Sequence, residues 1–201
     1  MIGVKVEATG INEVINTLGK YESELPGCIS RAINRSLEMV KTEQIRKTTE
    51  SYFAQKSKLL SSVNVFKTSK SNLIGSIISS GRVIGLDHFK LNPKTRIKGK
   101  IVQTAVKKGG YKSLPNAFIA YKSGHLGAFE RTGKFITKNG RKRETIKRLM
   151  SVSAPQMLGN LSILEYLQGY ADEKFRMRLE HEINRVIGIW LLKWSNLYLI
   201  S

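Results

Sequence analysis

The spacing between apolar residues changes twice along this 201-residue chain, and those changes limit the folds that it can adopt. After a short alternating stretch at residues 2–7, apolar residues recur every three to four positions, as on one face of a helix. The middle of the chain alternates with period two, which is typical of half-buried strands, and the last third returns to helical spacing. This order predicts an α+β fold with N-terminal helices, a central antiparallel sheet with long basic loops, and a long C-terminal helix.

The first long helix is marked by an apolar stripe that follows Pro26, a residue tolerated in a first helical turn. The stripe consists of Ile29, Ala32, Ile33, Leu37 and Val40. An earlier helix is expected over residues 11–18 and a short one over 54–60. The last helix is expected over 164–187, and the apolar spacing there favours an amphipathic helix that needs a packing partner.

The strands are expected between residues 63 and 131, separated by polar or glycine-rich turns. Their expected ranges are 63–66, 73–78, 82–86, 101–106, 117–121 and 126–131. The strand at 82–86 is expected to continue the same sheet, and the last two strands read as a hairpin. The segments 94–99, 107–110 and 132–143 are interpreted as basic loops or turns.

Positive charge is concentrated in this same middle region. The whole chain has 34 Lys and Arg against 15 Asp and Glu, a formal net charge of +19, whereas residues 82–148 alone hold 18 Lys and Arg against three acidic residues. The candidate anion-binding residues are Lys94, Arg96, Lys98, Lys100, Lys107, Lys108, Lys112, Lys138, Arg141, Lys142 and Arg143. Basic loops contact phosphates without reading sequence, which favours a nucleic-acid-facing surface. The alternative is a solvated charged face.

Base-specific recognition is not indicated, because no helix-turn-helix, zinc-finger or RNA-recognition pattern is present. Four aromatic residues lie among the basic ones and offer surfaces on which bases can stack. They are Tyr111, Phe118, Tyr121 and Phe129. Their alternation favours the simpler interpretation, that they belong to the core of the sheet.

No known catalytic pattern is complete in the chain. His181 begins like a zinc-protease helix, but Arg185 occupies the place of the second ligand. A hydrolase that uses Glu130 and His125 is a remote alternative, since an ion pair between Glu130 and Arg131 is the simpler expectation. We therefore predict that the protein is not an enzyme and needs no metal, cofactor or small-molecule substrate.

Targeting and redox signals are also absent from the sequence. The N-terminal residues contain no long apolar run, so no signal peptide is expected. The most apolar stretch, residues 186–200, is interrupted by polar residues and is short for a membrane span. A single cysteine, Cys28, excludes an internal disulfide framework, fits a reducing compartment, and is expected to be buried on a helix.

The stretch from Asn116 to Lys134, NAFIAYKSGHLGAFERTGK, resembles the core motif of the phage minor tail protein Z family. Residues 146–160 and the segment RAINR at 31–35 resemble the same family, and residues 175–185 are similar to its terminal helix. The resemblance spans roughly residues 10–187. Residues 188–201 have no counterpart, so we expect a domain over 1–187 and an apolar extension over 188–201.

The family resemblance implies a structural virion protein of a long-tailed phage or prophage. Such a protein completes the head-proximal end of the tail and joins it to the neck, as a ring subunit around the channel that DNA traverses. The implied partners are further copies of the chain, as a hexamer, the tail terminator or tail tube, the neck or head-completion proteins, and DNA. The implied location is the virion tail or neck, after assembly in the host cytoplasm.

The apolar extension carries Trp190, Leu191 and Trp194, which are candidates for an interface between subunits, or for packing onto their own domain. A hypothesis from another class is a free-standing protein that binds nucleic acid without sequence preference. Assembly separates the two hypotheses, because only the first requires a ring.

Overall fold

The computed structural model describes residues 2–6, 24–122, 124–138 and 140–198, with the backbone alone for 2–6, 125, 138 and 188–198. Helices account for about 42% of the described residues and strands for about 34%, which confirms the α+β class. The chain divides into two compact units. The first unit comprises Met1–Gln44, Val63–Ser79 and Gly159–Ser201, and the second comprises Ile45–Ser62 and Ser80–Leu158.

The helices are α1 (Leu25–Ser51), α2 (Lys56–Leu60), α3 (Ala154–Leu158) and α4 (Leu161–Tyr198). The strands are β1 (Ile2–Val6), β2 (Val63–Phe66), β3 (Gly75–Ser79), β4 (Val83–Gly85), β5 (Lys90–Asn92), β6 (Val102–Ala105), β7 (Lys112–Leu114), β8 (Ala117–Lys122), β9 (His125–Lys138), β10 (Arg141–Arg148) and β11 (Met150–Ser153). A 3₁₀ turn, Leu86–His88, follows β4. Within the described ranges, no helix has the length and apolarity needed to cross a membrane.

The first unit combines α1 and α4 with an antiparallel sheet in the order β1-β3-β2. All five residues of the expected α1 stripe are buried, and so is Cys28. Gly75 of β3 lies so close to α1 that an added Cβ would come within 2.6 Å of the Leu37 side chain. This close approach explains why glycine opens β3.

Two polar contacts tie α1 to α4. Arg31 Nε donates to a Glu182 carboxylate oxygen at 2.6 Å, and the Tyr166 hydroxyl donates to Glu43 at 2.9 Å. Arg31 is early in α1 and Glu182 is late in α4, whereas Glu43 is late in α1 and Tyr166 is early in α4. The two helices therefore run antiparallel. The expected last helix is therefore confirmed, while the expected helix over 11–18 lies outside the described residues.

The second unit contains three small antiparallel sheets. Their strand orders are β10-β9-β8, β5-β6-β7 and the pair β11-β4. Buried Leu86, Val102, Ile119 and Ala128 form its core cluster. The expectation of one continuous sheet is thus wrong in detail, because β4 pairs with β11 rather than extending the sheet of β2 and β3.

Candidate nucleic-acid interface

The charge of the chain belongs almost entirely to the second unit. That unit holds 22 Lys and Arg against four Asp and Glu, whereas the first unit holds 12 against 11. The net charges are therefore +18 and +1. All of the basic residues singled out from the sequence lie in the second unit, so the candidate site can be described within that unit alone.

The first basic cluster lies on an irregular segment between β5 and β6, as the sequence predicts. Lys94, Arg96, Lys98 and Lys100 are all exposed there. The segment forms one wall of an open cleft of about 330 Å³, which also includes the half-buried ring of Phe118. The cleft therefore combines exposed cations with an aromatic surface, a combination suited to polyanions that carry planar groups.

The second basic cluster occupies the turn between β6 and β7, also as predicted. Lys107 and Lys108 are exposed and lie over aromatic rings, with Lys107 Nζ 5.7 Å from the Tyr52 centroid and Lys108 Nζ 5.8 Å from that of Phe53. Lys112, at the start of β7, is exposed as well. Both ammonium groups therefore lie within cation–π range of an aromatic ring while their side chains stay exposed.

The third cluster corrects the interpretation of residues 132–143 as a loop. β9 runs for 14 residues, and its distal half pairs only with β10, from Phe135↔Glu144 to Lys138↔Arg141. We call residues 135–138 and 141–144 the distal ribbon. β9 ends at Lys138 and β10 begins at Arg141, and Gly140 has φ +69°, as the mirror-image hairpin turns require. The sequence reads Asn-Gly at 139–140, which is the strongest short hairpin signal and itself indicates a hairpin at this position.

The distal ribbon has two chemically different faces, because residues directly opposite in a ladder share a face. One face carries the pair Ile136↔Arg143 together with Arg141, two residues before Arg143 on the same strand. We call it the cationic face. Of its described side chains, Ile136 is 53% exposed, and no acidic group in the described part of the chain pairs with Arg141 or Arg143. The cationic face is therefore charged and free to bind an external anion.

The opposite face of the ribbon is internally compensated. Lys142 Nζ lies 4.9 Å from the centroid of the Phe135 ring. The Glu144 carboxylate accepts a hydrogen bond from Arg131 at 2.9 Å and another from the Gly133 backbone N–H at 3.0 Å. Arg131 therefore pairs with Glu144 across the strands, and the expected ion pair between neighbouring Glu130 and Arg131 is wrong.

A bulge separates the distal ribbon from the rest of the sheet. Three residues of β9, 132–134, face the single residue Thr145 of β10, and Gly133 within the bulge has φ +72°. Below the bulge, β9 pairs with both neighbours. There Arg148, at the end of β10, donates two hydrogen bonds of 2.7 Å to the carboxylate of Asp87. This pair ties the base of the ribbon to the core of the second unit.

The aromatic residues divide differently from the expectation that all four belong to the core. Phe129 is buried and Phe118 is half-buried, with ring centroids 6.4 Å apart. Tyr111 is exposed, and Tyr121 is 76% exposed. Strand alternation therefore identified one core residue correctly, but it could not distinguish a covered face of a small sheet from an open one.

The candidate hydrolase residues Glu130 and His125 both lie on β9. Glu130 and His125 are five positions apart on β9, a backbone distance of about 17 Å, so they cannot act as a directly bonded pair. No group of three metal-ligating side chains occurs within the described ranges. The resolved pKa shifts lie in the first unit, where burial raises the pKa of the Cys28 thiol and the hydrogen bond to Glu182 raises the pKa of Arg31.

The remaining candidate residues cannot be assigned to a surface. Trp190, Leu191 and Trp194 lie on the backbone of α4, and their side chains are outside the described set. For Lys138, only the backbone is described, in register with Arg141.

No family model, curated protein or solved structure matches the chain.

Proposed function

We propose that this chain is a structural virion protein of a long-tailed phage or prophage, a ring subunit that completes the head-proximal end of the tail and joins it to the neck around the DNA channel. The proposal rests on the resemblance of residues 116–134 and on one physical observation. The second unit holds a net charge of +18, whereas the first unit is almost neutral. Such segregation suits a subunit with one polyanion-facing region and one framework region.

A ring of subunits would add together contacts that are individually weak. An exposed cation gains little from one phosphate, because water and salt screen the attraction. Copies arranged around an axis present the same cluster many times, so that small attractions combine without requiring tight binding by any subunit. Closed symmetry is the common arrangement for such assemblies, and we favour six copies.

The test reverses charge at the ribbon without touching the core. Arg141, Lys142 and Arg143 are exposed, so Arg141→Glu, Lys142→Glu and Arg143→Glu together should leave the folded protein intact. We expect a reduced yield of infectious particles, measured by complementation of a phage or prophage that lacks the gene. Normal infectivity with the triple variant incorporated into particles would contradict the channel or docking role.

A matched control carries the same change in net charge outside the three basic clusters. Lys56, Lys58 and Lys70 are also exposed, and the described residues include no ion pair for any of them. Their combined replacement by Glu should leave the particle yield close to that of the unmodified chain. An equal loss of yield in both triple variants would indicate a general charge effect instead of a local one.

A second candidate function is free-standing binding of nucleic acid without sequence preference. The specific observation in its favour is the exposure of aromatic rings beside cations, Tyr121 at 76% and Phe135 at 56%. The two functions predict different molecular masses in solution, which light scattering during size-exclusion chromatography measures. A ring is expected for the first function, and a monomer that binds DNA with steep salt dependence for the second.

A further inference from the structure

We propose that the cationic face of the distal ribbon, and not its opposite face, contacts the phosphates of duplex DNA, with the ribbon lying in the major groove. This inference deepens the proposed function by assigning the DNA contact to particular residues. It depends on that function only for where the DNA comes from, because binding to free DNA can be measured whether or not the chain forms a ring.

The first argument is the availability of charge. Arg141 and Arg143 alternate with Lys142 along β10, so both arginines project to the same side of the ribbon. Neither has an acidic partner among the described side chains, whereas Lys142 lies over the Phe135 ring and Glu144 holds Arg131. A polyanion therefore finds unpaired guanidinium groups on one face and occupied groups on the other.

The second argument is geometric. Two paired strands lie about 4.8 Å apart, and with side chains they form a body that fits the major groove of B-DNA, about 12 Å wide. Residues two apart on a strand are separated by about 6.8 Å. Successive phosphates of one DNA strand lie farther apart than the axial rise of about 3.4 Å, because the backbone winds around the axis. Arg141 and Arg143 are thus spaced to reach neighbouring phosphates along one groove wall.

The third argument concerns the residue between the charges. Ile136 lies opposite Arg143 on the cationic face and is 53% exposed. An apolar side chain flanked by cations suits a groove, whose walls are charged and whose floor offers apolar base edges such as thymine methyl groups. An acidic protein surface has no such regular line of anions beside its apolar contacts, which is why we assign the face to DNA.

The experiment measures binding of the full chain to a fluorescent duplex of mixed sequence, by anisotropy over a series of salt concentrations. The variant Arg141→Gln with Arg143→Gln removes two charges from the cationic face. We expect affinity to fall about tenfold to a hundredfold, and the slope of log K against log salt to decrease by about 2. Single-stranded DNA of equal length should bind more weakly, because it has no groove.

Two controls separate a local contact from general attraction. Lys56→Gln with Lys58→Gln removes the same charge from exposed positions on α2, and should change the slope much less. Lys142→Gln, compared with Arg143→Gln, tests neighbouring positions on opposite faces, and should have the smaller effect. Equal losses in the α2 and ribbon variants would overturn the proposal, as would equal losses at 142 and 143.

The remaining outcomes distinguish this inference from the proposed function. A chain that forms rings but does not bind duplex DNA would overturn the inference and leave the ring intact, with an acidic protein as the partner of the cationic face. A monomer that shows the expected pattern of variants would support the inference and contradict the ring. Circular dichroism and thermal midpoints equal to those of the unmodified chain ensure that lost binding is not lost folding.

Discussion

The first unit and the second unit of this protein differ in net charge and in the secondary structure on which they are built. The first is nearly neutral and is built on two long antiparallel helices, with the α1 stripe fully buried. The second holds a net charge of +18 on small antiparallel sheets. Self-repulsion in the second unit opposes compactness. The charge of the second unit therefore does not serve its own stability, which is consistent with the anionic partner proposed above.

The largest expected effect tests whether the first unit depends on its apolar stripe. Leu37 is fully buried, and replacing it with alanine leaves a cavity beneath β3. We expect Leu37→Ala to lower the free energy of unfolding by about 3–5 kcal/mol, measured by urea denaturation. Leu161, which is 75% exposed on the same unit, provides the same chemical change as a control and should cost less than about 0.5 kcal/mol. Similar costs at both positions would contradict the description of this core.

A smaller effect tests the polar tie in the second unit. Asp87→Asn removes the charge that accepts three hydrogen bonds from Arg148, and partial exposure of the arginine limits the loss. We expect a cost of about 1–2 kcal/mol, seen as faster amide hydrogen exchange near β4 and the end of β10. Glu165→Gln, an equivalent change on the exposed surface of α4, should have little effect. Unchanged exchange in Asp87→Asn would show that the ion pair does not stabilise the base of the ribbon.

The smallest effect separates the units by their response to salt. Raising NaCl from about 0.1 M to about 1 M shortens the screening length from about 10 Å to about 3 Å. We expect amides of the second unit to gain protection worth about 1 kcal/mol, the energy of one charge pair at 4 Å in water. Amides of the first unit, measured in the same samples, serve as the internal reference. An equal gain in both units would mean that charge segregation does not affect stability.

The sequence predicted the fold class because the periodicity of its apolar residues matches the elements that formed. The stripe from Ile29 to Val40, the strand at residues 63–66 and the hairpin of β8 and β9 were all expected. In each of these cases, local spacing and burial agree. The separation of strands into four sheets was not predictable, because pairing depends on contacts between residues far apart in sequence.

The residues of the candidate site were predicted from the sequence, but their three-dimensional arrangement was not. Counting charges identified the three basic clusters, but residues 132–143 were expected to form one basic loop. The Asn139–Gly140 pair would have placed a hairpin there, and alternation would then have separated Arg141 and Arg143 from Lys142. The pairing of Arg131 with Glu144 could not have been inferred, because it depends on the bulge that sets the register of β9 against β10.

That bulge also limits how the ribbon can change length. Beyond residue 134, the ladder has no third strand, so insertions there disturb no core residue. Adding one residue to each strand between bulge and tip would turn the arginines to the opposite side, whereas adding two would return them. Related chains whose distal ribbons keep this orientation should therefore differ in ribbon length by an even number of residues per strand. An odd difference would indicate a distal ribbon that presents its arginines to a different partner.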